Sequence, residues 1–139
     1  MSEPSGITRA LQKLRDITPG IRAVFCVDRG GLPIEDIGLV ATLGRDSANM
    51  LTYLAAGILS SMLKIQNELG SEAWDSFSSE SQSHQFLLYN VDNIAIVGII
   101  ADAVTNMGLL RLQAADSIEQ IRNELRLILS NRLELVKQR

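Results

Sequence analysis

The side chains able to attack, shuttle a proton or hold a metal stand alone in this chain. His84 is the only histidine and Cys26 the only cysteine. A single imidazole leaves a histidine triad or a multi-histidine metal site unbuildable, and a lone thiol excludes a cysteine zinc cluster or an internal disulfide. Cys26 sits inside the apolar run Ile21–Val27 and reads as a buried structural thiol. His84 reads as an exposed or strand-end residue. Glu35-Asp36 is a carboxylate pair of the type used in acid–base catalysis. Adjacent strand residues point to opposite faces, however, so a turn or strand-end position fits the pair better. Phosphate-loop, dinucleotide and nucleophile-elbow glycine motifs are absent from the sequence. No catalytic, cofactor or metal site is expected.

Aliphatic residues must therefore build the molecule. Hydrophobic residues make up 46% of the 139 and aromatics only 4%, enough for one domain with its own core. No leader-like segment and no Asn-x-Ser/Thr site is visible, so the cytoplasm is the expected location. Residues 65–110 hold six acids and no Lys or Arg. A nucleic-acid binder needs a basic face, so none is expected here. Glu68, Glu72, Asp75, Glu80, Asp92 and Asp102 read either as a solvated sheet edge or as a docking face for a basic partner.

Spacing places the elements. Ile7, Ala10, Leu11, Leu14 and Ile17 follow a helical period that Thr18-Pro19-Gly20 stops. Ile21–Asp28 reads as a strand, Asp28-Arg29-Gly30-Gly31 as a hairpin turn, and Leu32–Ile37 as the return strand. Pro33 cannot donate to a ladder, so that strand begins at or lies near an edge. A long helix follows, about Asp46 to Leu69. Leu51, Leu54/Ala55, Ile58, Met62, Ile65 and Leu69 form its expected inner stripe. Met50, Tyr53, Ala56, Gly57, Ser60 and Ser61 form a small, weakly polar second face. That face reads as a bland exposed surface or, as preferred here, as a helix–helix contact. Gly57 favours the contact, because glycine costs about 1 kcal/mol against alanine in a helix interior.

Residues 71–83 carry six serines with Trp74 and Phe77 among them, an irregular edge strand or a loop. His84–Asn90 reads as a strand that turns at Val91-Asp92-Asn93. The apolar run from Ile94 to Ala101 is too short to cross a bilayer, which takes about 20 residues. It has the length of a strand buried on both faces. Leu109–Val136 completes the chain as a helix, with Leu112, Ala115, Ile118, Ile121, Leu125, Ile128/Leu129, Leu133 and Val136 expected inside.

Four segments, in this order, resemble the Roadblock domain family. They are Val27-Asp28-Arg29-Gly30-Gly31-Leu32-Pro33-Ile34, the alanine-rich helix Ala48–Leu69, the strand Ile94–Ala101, and Asn106-Met107-Gly108-Leu109-Leu110-Arg111-Leu112. The resemblance spans roughly residues 7–136. Glu80-Ser81-Gln82-Ser83 departs from it, standing where many members have a glycine-containing turn.

The resemblance implies one Roadblock-like domain over 1–139, an α/β sandwich of the profilin-like type. A five-stranded antiparallel sheet would carry the long middle helix on one face and the terminal helices on the other. It also implies a homodimer joined through the third strands and middle helices. The partner-facing residues would be Met50, Tyr53, Leu54, Gly57, Ser60, Ser61, Trp74 and Phe77. The implied function is a non-catalytic regulator or scaffold of a Ras-like small GTPase, without direct membrane insertion. Arg45 is the nearest arginine to such a surface. The other functions open at this point are a dimeric interaction module for a motor or signalling complex, and a small-ligand sensor.

Overall fold

The computed structural model describes residues 5–70 and 74–137. Helix α1 (Gly6–Ile17) starts at Ser5, whose hydroxyl accepts the Thr8 N–H at 3.1 Å, an N-cap that satisfies an otherwise orphaned donor. Its inner stripe is Ile7, Ala10, Leu11 and Leu14. Ile17, expected in that stripe, is exposed, because the chain leaves helical geometry at Thr18 and turns toward the sheet.

Strands β1 (Ile21–Asp28) and β2 (Pro33–Ile37) form the hairpin. Asp28 organises its turn by accepting the N–H groups of Gly30 (2.8 Å) and Leu32 (3.0 Å). Two elements follow, α2 (Leu39–Leu43) and α3 (Arg45–Glu68), then β3 (Ser76–Glu80), β4 (His84–Val91), β5 (Ala95–Asp102) and α4 (Met107–Lys137). All strand pairs are antiparallel, and the sheet order is β2-β1-β5-β4-β3. Pro33 opens an edge strand, as its missing N–H requires.

The sheet is covered on both faces, which is why residues 23–27 of β1 and 95–101 of β5 are unbroken apolar runs. On one side Val24, Cys26, Val97 and Ile99 pack under α1 and α4. On the other Phe25, Val27, Ile96 and Ile100 pack under α2 and α3. Gly98 is the join of this second layer. It sits opposite Phe25 on β1 and Leu88 on β4, and the Phe25 ring occupies the space a side chain would need. This is the α/β sandwich expected from the sequence.

Several local expectations are corrected. The short helix α2 was not anticipated; it depends on Asp36, whose carboxylate accepts the Leu39 N–H at 2.9 Å. The serine-rich segment does form an edge strand, β3. Its turn into β4 needs no glycine, because the Ser81 hydroxyl accepts the His84 N–H at 3.1 Å and the Ser81 N–H donates to the His84 carbonyl at 2.9 Å. Helix α4 begins at Met107, with Asn106 Oδ1 accepting the Leu109 N–H at 3.1 Å. Its buried face is Leu110, Ala114, Ser117, Ile118, Ile121 and Leu125. Leu112, Ala115, Ile128, Leu129 and Leu133, expected inside, are exposed instead, and the Val136 side chain lies outside the described residues. Small Ala114 and Ser117 face inward, so the helix is rotated from the orientation that its largest side chains suggest.

Candidate functional site

Helix α3 also lies on the sheet by its small residues. Ala48, Thr52, Ala55, Ala56 and Leu59 are buried, against a layer already filled by Phe25 and Trp74. Leu54, Ile65 and Leu69, expected inside, are exposed. Ala56, expected outside, is covered by the hairpin turn. Gly31 holds φ +88° there, and a Cβ on it would lie 3.6 Å from Ala56 Cβ and 3.3 Å from Tyr53 Cα. Only glycine takes that conformation at little cost.

The outer face that results carries Met50 (58% exposed), Tyr53 (68%) and Leu54 (52%), with exposed Gly57, Ser60 and Ser61 beyond them. The helix bears no charge from Ser47 to Leu63. By length and composition alone it would cross a membrane, yet its other side is packed on the sheet. A Cβ at Gly57 would meet nothing within 4 Å, so no packing among the described residues of the protomer calls for the glycine. Leu32, at 68% exposure, extends this surface over the hairpin tip. Sequence reasoning missed Leu32, although the adjacent Gly30-Gly31 pair marks the turn that presents it.

The structure divides the expected partner-facing residues. Met50, Tyr53, Leu54, Gly57, Ser60 and Ser61 share the open face of α3. Trp74 does not join them. It is buried in the protomer's own core at 5% exposure, with its carbonyl held by Asn90 Nδ2 at 2.9 Å. Phe77 is half-buried against the same layer. What β3 offers outward is its backbone edge, because it pairs only with β4, and an unpaired edge is a template for another strand. Exposed Ser76, Ser78 and Ser79 line it.

The groups singled out for chemistry are committed to structure. Glu35 accepts the Thr8 hydroxyl at 2.7 Å, while Asp36 caps α2. Burial, with Asp28 and Glu35 adding, pushes the Cys26 thiol up to about 12. His84 is exposed at the start of β4, opposite Asp102. It rims an apolar cleft of about 290 Å³ with Leu43, Leu51, Phe86 and Ile100. Arg45 is exposed at the first turn of α3. The acidic stretch is partly neutralised: Asp92 pairs with Arg122 and Arg126, each at 3.1 Å, and Asp102 pairs with Arg22. Glu72 lies outside the described residues. Among the described residues no three His, Cys, Asp or Glu side chains are grouped to hold a metal ion.

A five-stranded antiparallel sheet covered by helices on both faces, with the charge-free stretch 47–63 of α3 turned partly outward, defines an α/β sandwich. The chain belongs to the Roadblock/LC7 domain family, whose family profile matches residues 7–101. No curated protein matches the sequence. Solved structures share the fold at low identity. Myxococcus xanthus MglB is 20% identical with a TM-score of 0.81, over 90% of this chain and 98% of that one. A Roadblock/LC7 domain from Streptomyces avermitilis is 18% identical with a TM-score of 0.75, over 85% and 96%. An MglB described with a tetrameric arrangement is 14% identical with a TM-score of 0.74, over 89% and 93%.

Proposed function

We propose that the chain is a non-catalytic homodimer, paired through the outer face of α3 and the edge of β3, and that the paired α3 helices bind a Ras-like small GTPase as its regulator or scaffold. The observation that carries the pairing is Gly57. It sits exposed in the middle of a helix, where it costs about 1 kcal/mol against alanine, with open space around it. A second backbone approaching closely at Gly57, Ser60 and Ser61 gives that glycine a role. The unpaired edge of β3 supports the same arrangement, because two such edges satisfy each other.

The GTPase reading rests on membership of the family together with the character of the surface. Paired α3 helices would offer a broad, uncharged platform with Tyr53 as its aromatic anchor, and aromatic anchors carry much of the energy of interfaces. Glu68, exposed at the C-terminal end of α3, would steer a basic rim. The partner GTPase would bring its own catalytic groups; Arg45, exposed at the first turn of α3, is the arginine nearest the platform.

Calorimetry with small GTPases of the source organism, loaded with GDP or a GTP analogue, tests this function. The expected result is binding to one GTPase that prefers one nucleotide state. Tyr53→Ala should weaken it about tenfold or more, ~1.4 kcal/mol. Equal affinity for both states would leave a scaffold and remove the regulator. Absence of binding to any of them would overturn the GTPase reading.

A further inference from the structure

The end of α4 carries an exposed apolar stripe. Leu125 is the last buried residue of the helix among the described residues, and the segment from Arg126 to Lys137 extends about 18 Å past it. The stripe that faces the sheet through Ala114, Ile121 and Leu125 continues at helical spacing through Ile128, Leu129 and Leu133. These three are 40%, 43% and 62% exposed. Beside them lies a groove of about 260 Å³ between α4, β2 and the β4–β5 turn. Ile34, Ile94, Leu125, Ile128 and Leu129 make it apolar, and Asp28 and Arg132 are its only charged groups. Arg122 and Arg126 are paired with Asp92, but Arg132 has no ion pair among the described residues. Asp28 uses Oδ1 to hold the hairpin turn, and its Oδ2 has no partner among the described residues.

We propose that this groove and stripe seat the same groove and stripe of a second copy of the chain, through a two-fold contact separate from α3. Charge selects that occupant. A uniformly acidic partner would set its charge against Asp28, and a uniformly basic one against Arg132. Under a two-fold axis each Arg132 meets the other copy's Asp28, so one base and one acid beside one apolar groove complement themselves. The apolar stripe of each copy is covered in the same step. A protomer with two self-complementary faces, α3 and the α4 groove, assembles beyond two copies. The α4 contact does not depend on the α3 contact.

Sedimentation equilibrium of the full chain, over about two decades of concentration around micromolar, separates the two. Leu133 is exposed, so Leu133→Glu leaves the protomer's fold intact, which a circular-dichroism melt verifies. With both contacts present, wild type exceeds the mass of two copies. Leu133→Glu and Arg132→Asp then fall to two copies held by α3, and Gly57→Leu falls to two copies held by α4. Added salt should weaken the α4 contact, since part of it is ionic. If the α3 pairing is wrong, wild type has the mass of two copies, Leu133→Glu that of one, and Gly57→Leu matches wild type; that result supports the α4 contact alone. Masses of wild type and Gly57→Leu that Leu133→Glu and Arg132→Asp leave unchanged would overturn the proposal, whichever other protein then covers the stripe.

Discussion

Gly98→Ala should destabilise the fold through one side chain, the Phe25 ring. A methyl group at position 98 would lie 2.1, 2.3 and 2.6 Å from three carbons of that ring. Ordinary contacts between such atoms begin near 3.5 Å, so the ring must move by about an ångström. It has little room. Phe25 is fully buried, with Leu39, Ala48, Ala55, Leu59 and Trp74 in the same cluster, and its backbone is fixed between β2 and β5. Overpacking of a filled core costs roughly 1–3 kcal/mol, and this clash belongs at the upper end. Loss of glycine freedom in the unfolded chain returns about 0.5 kcal/mol. The net loss is about 2–3 kcal/mol, or on the order of 10 °C in Tm for a domain of this size. Urea unfolding followed by circular dichroism, at one fixed protomer concentration, measures it. Phe25→Leu supplies the second arm of a double-mutant cycle. The added methyl then fills part of the space left by the ring, so the double variant should be more stable than the sum of the singles by ~1 kcal/mol or more. Gly98→Ala within ~0.5 kcal/mol of wild type, or strictly additive effects, would refute this packing of ring over glycine.

Three further outcomes follow from local geometry. Asn90→Leu removes the donor to the Trp74 carbonyl and the bonds to Asn93 at 2.6 and 2.9 Å; urea unfolding should show a loss of about 2 kcal/mol. Ser81→Gly deletes the hydroxyl that accepts the His84 N–H and should cost about 1 kcal/mol, read as faster amide exchange confined to β3 and the start of β4. Cys26 should resist Ellman's reagent in the native chain and react once the chain is unfolded. Burial raises the thiol pKa from 9.0 to about 12, so the folded state favours the protonated form. Native labelling should therefore stay flat as pH passes 9, whereas labelling of the unfolded chain should rise there.

The sheet was legible in the sequence because period and burial agree. Residues 23–27 and 95–101 are apolar on both faces, and both faces are covered. The hairpin was legible because Asp28, Gly30, Gly31 and Pro33 each have a single structural use there. Helix faces were less legible, because side-chain size misleads when the opposing surface is already full. Against the Phe25–Trp74 layer Ala48, Thr52, Ala55 and Leu59 go inward, with Leu51, Ile58 and Met62 partly buried as expected, while Leu54 and Ile65 go outward. The hairpin tip covers Ala56, a contact between distant parts of the chain that no local window contains. Trp74 was misplaced for the same reason. A tryptophan among serines reads as surface, yet the entry to β3 folds it back over the core. Within the candidate site, Met50, Tyr53 and Gly57 were legible because the charge-free stretch from 47 to 63 exceeds what one buried face needs. The placement of Arg132 and Asp28 on one groove was not, because they lie about a hundred residues apart in the chain.

The outer face of α3 is tested most directly by sedimentation equilibrium of the Leu133→Glu chain with and without Gly57→Leu, since Leu133→Glu would remove the contact proposed for α4 and leave pairing to α3 and the β3 edge. A leucine at 57 meets open space in the protomer, so it should leave the thermal melt of the isolated protomer unchanged or raise it. Leu133→Glu should have the mass of two copies, and the mass of one when Gly57→Leu is added. Two copies in both, or one copy in both, would contradict pairing through α3.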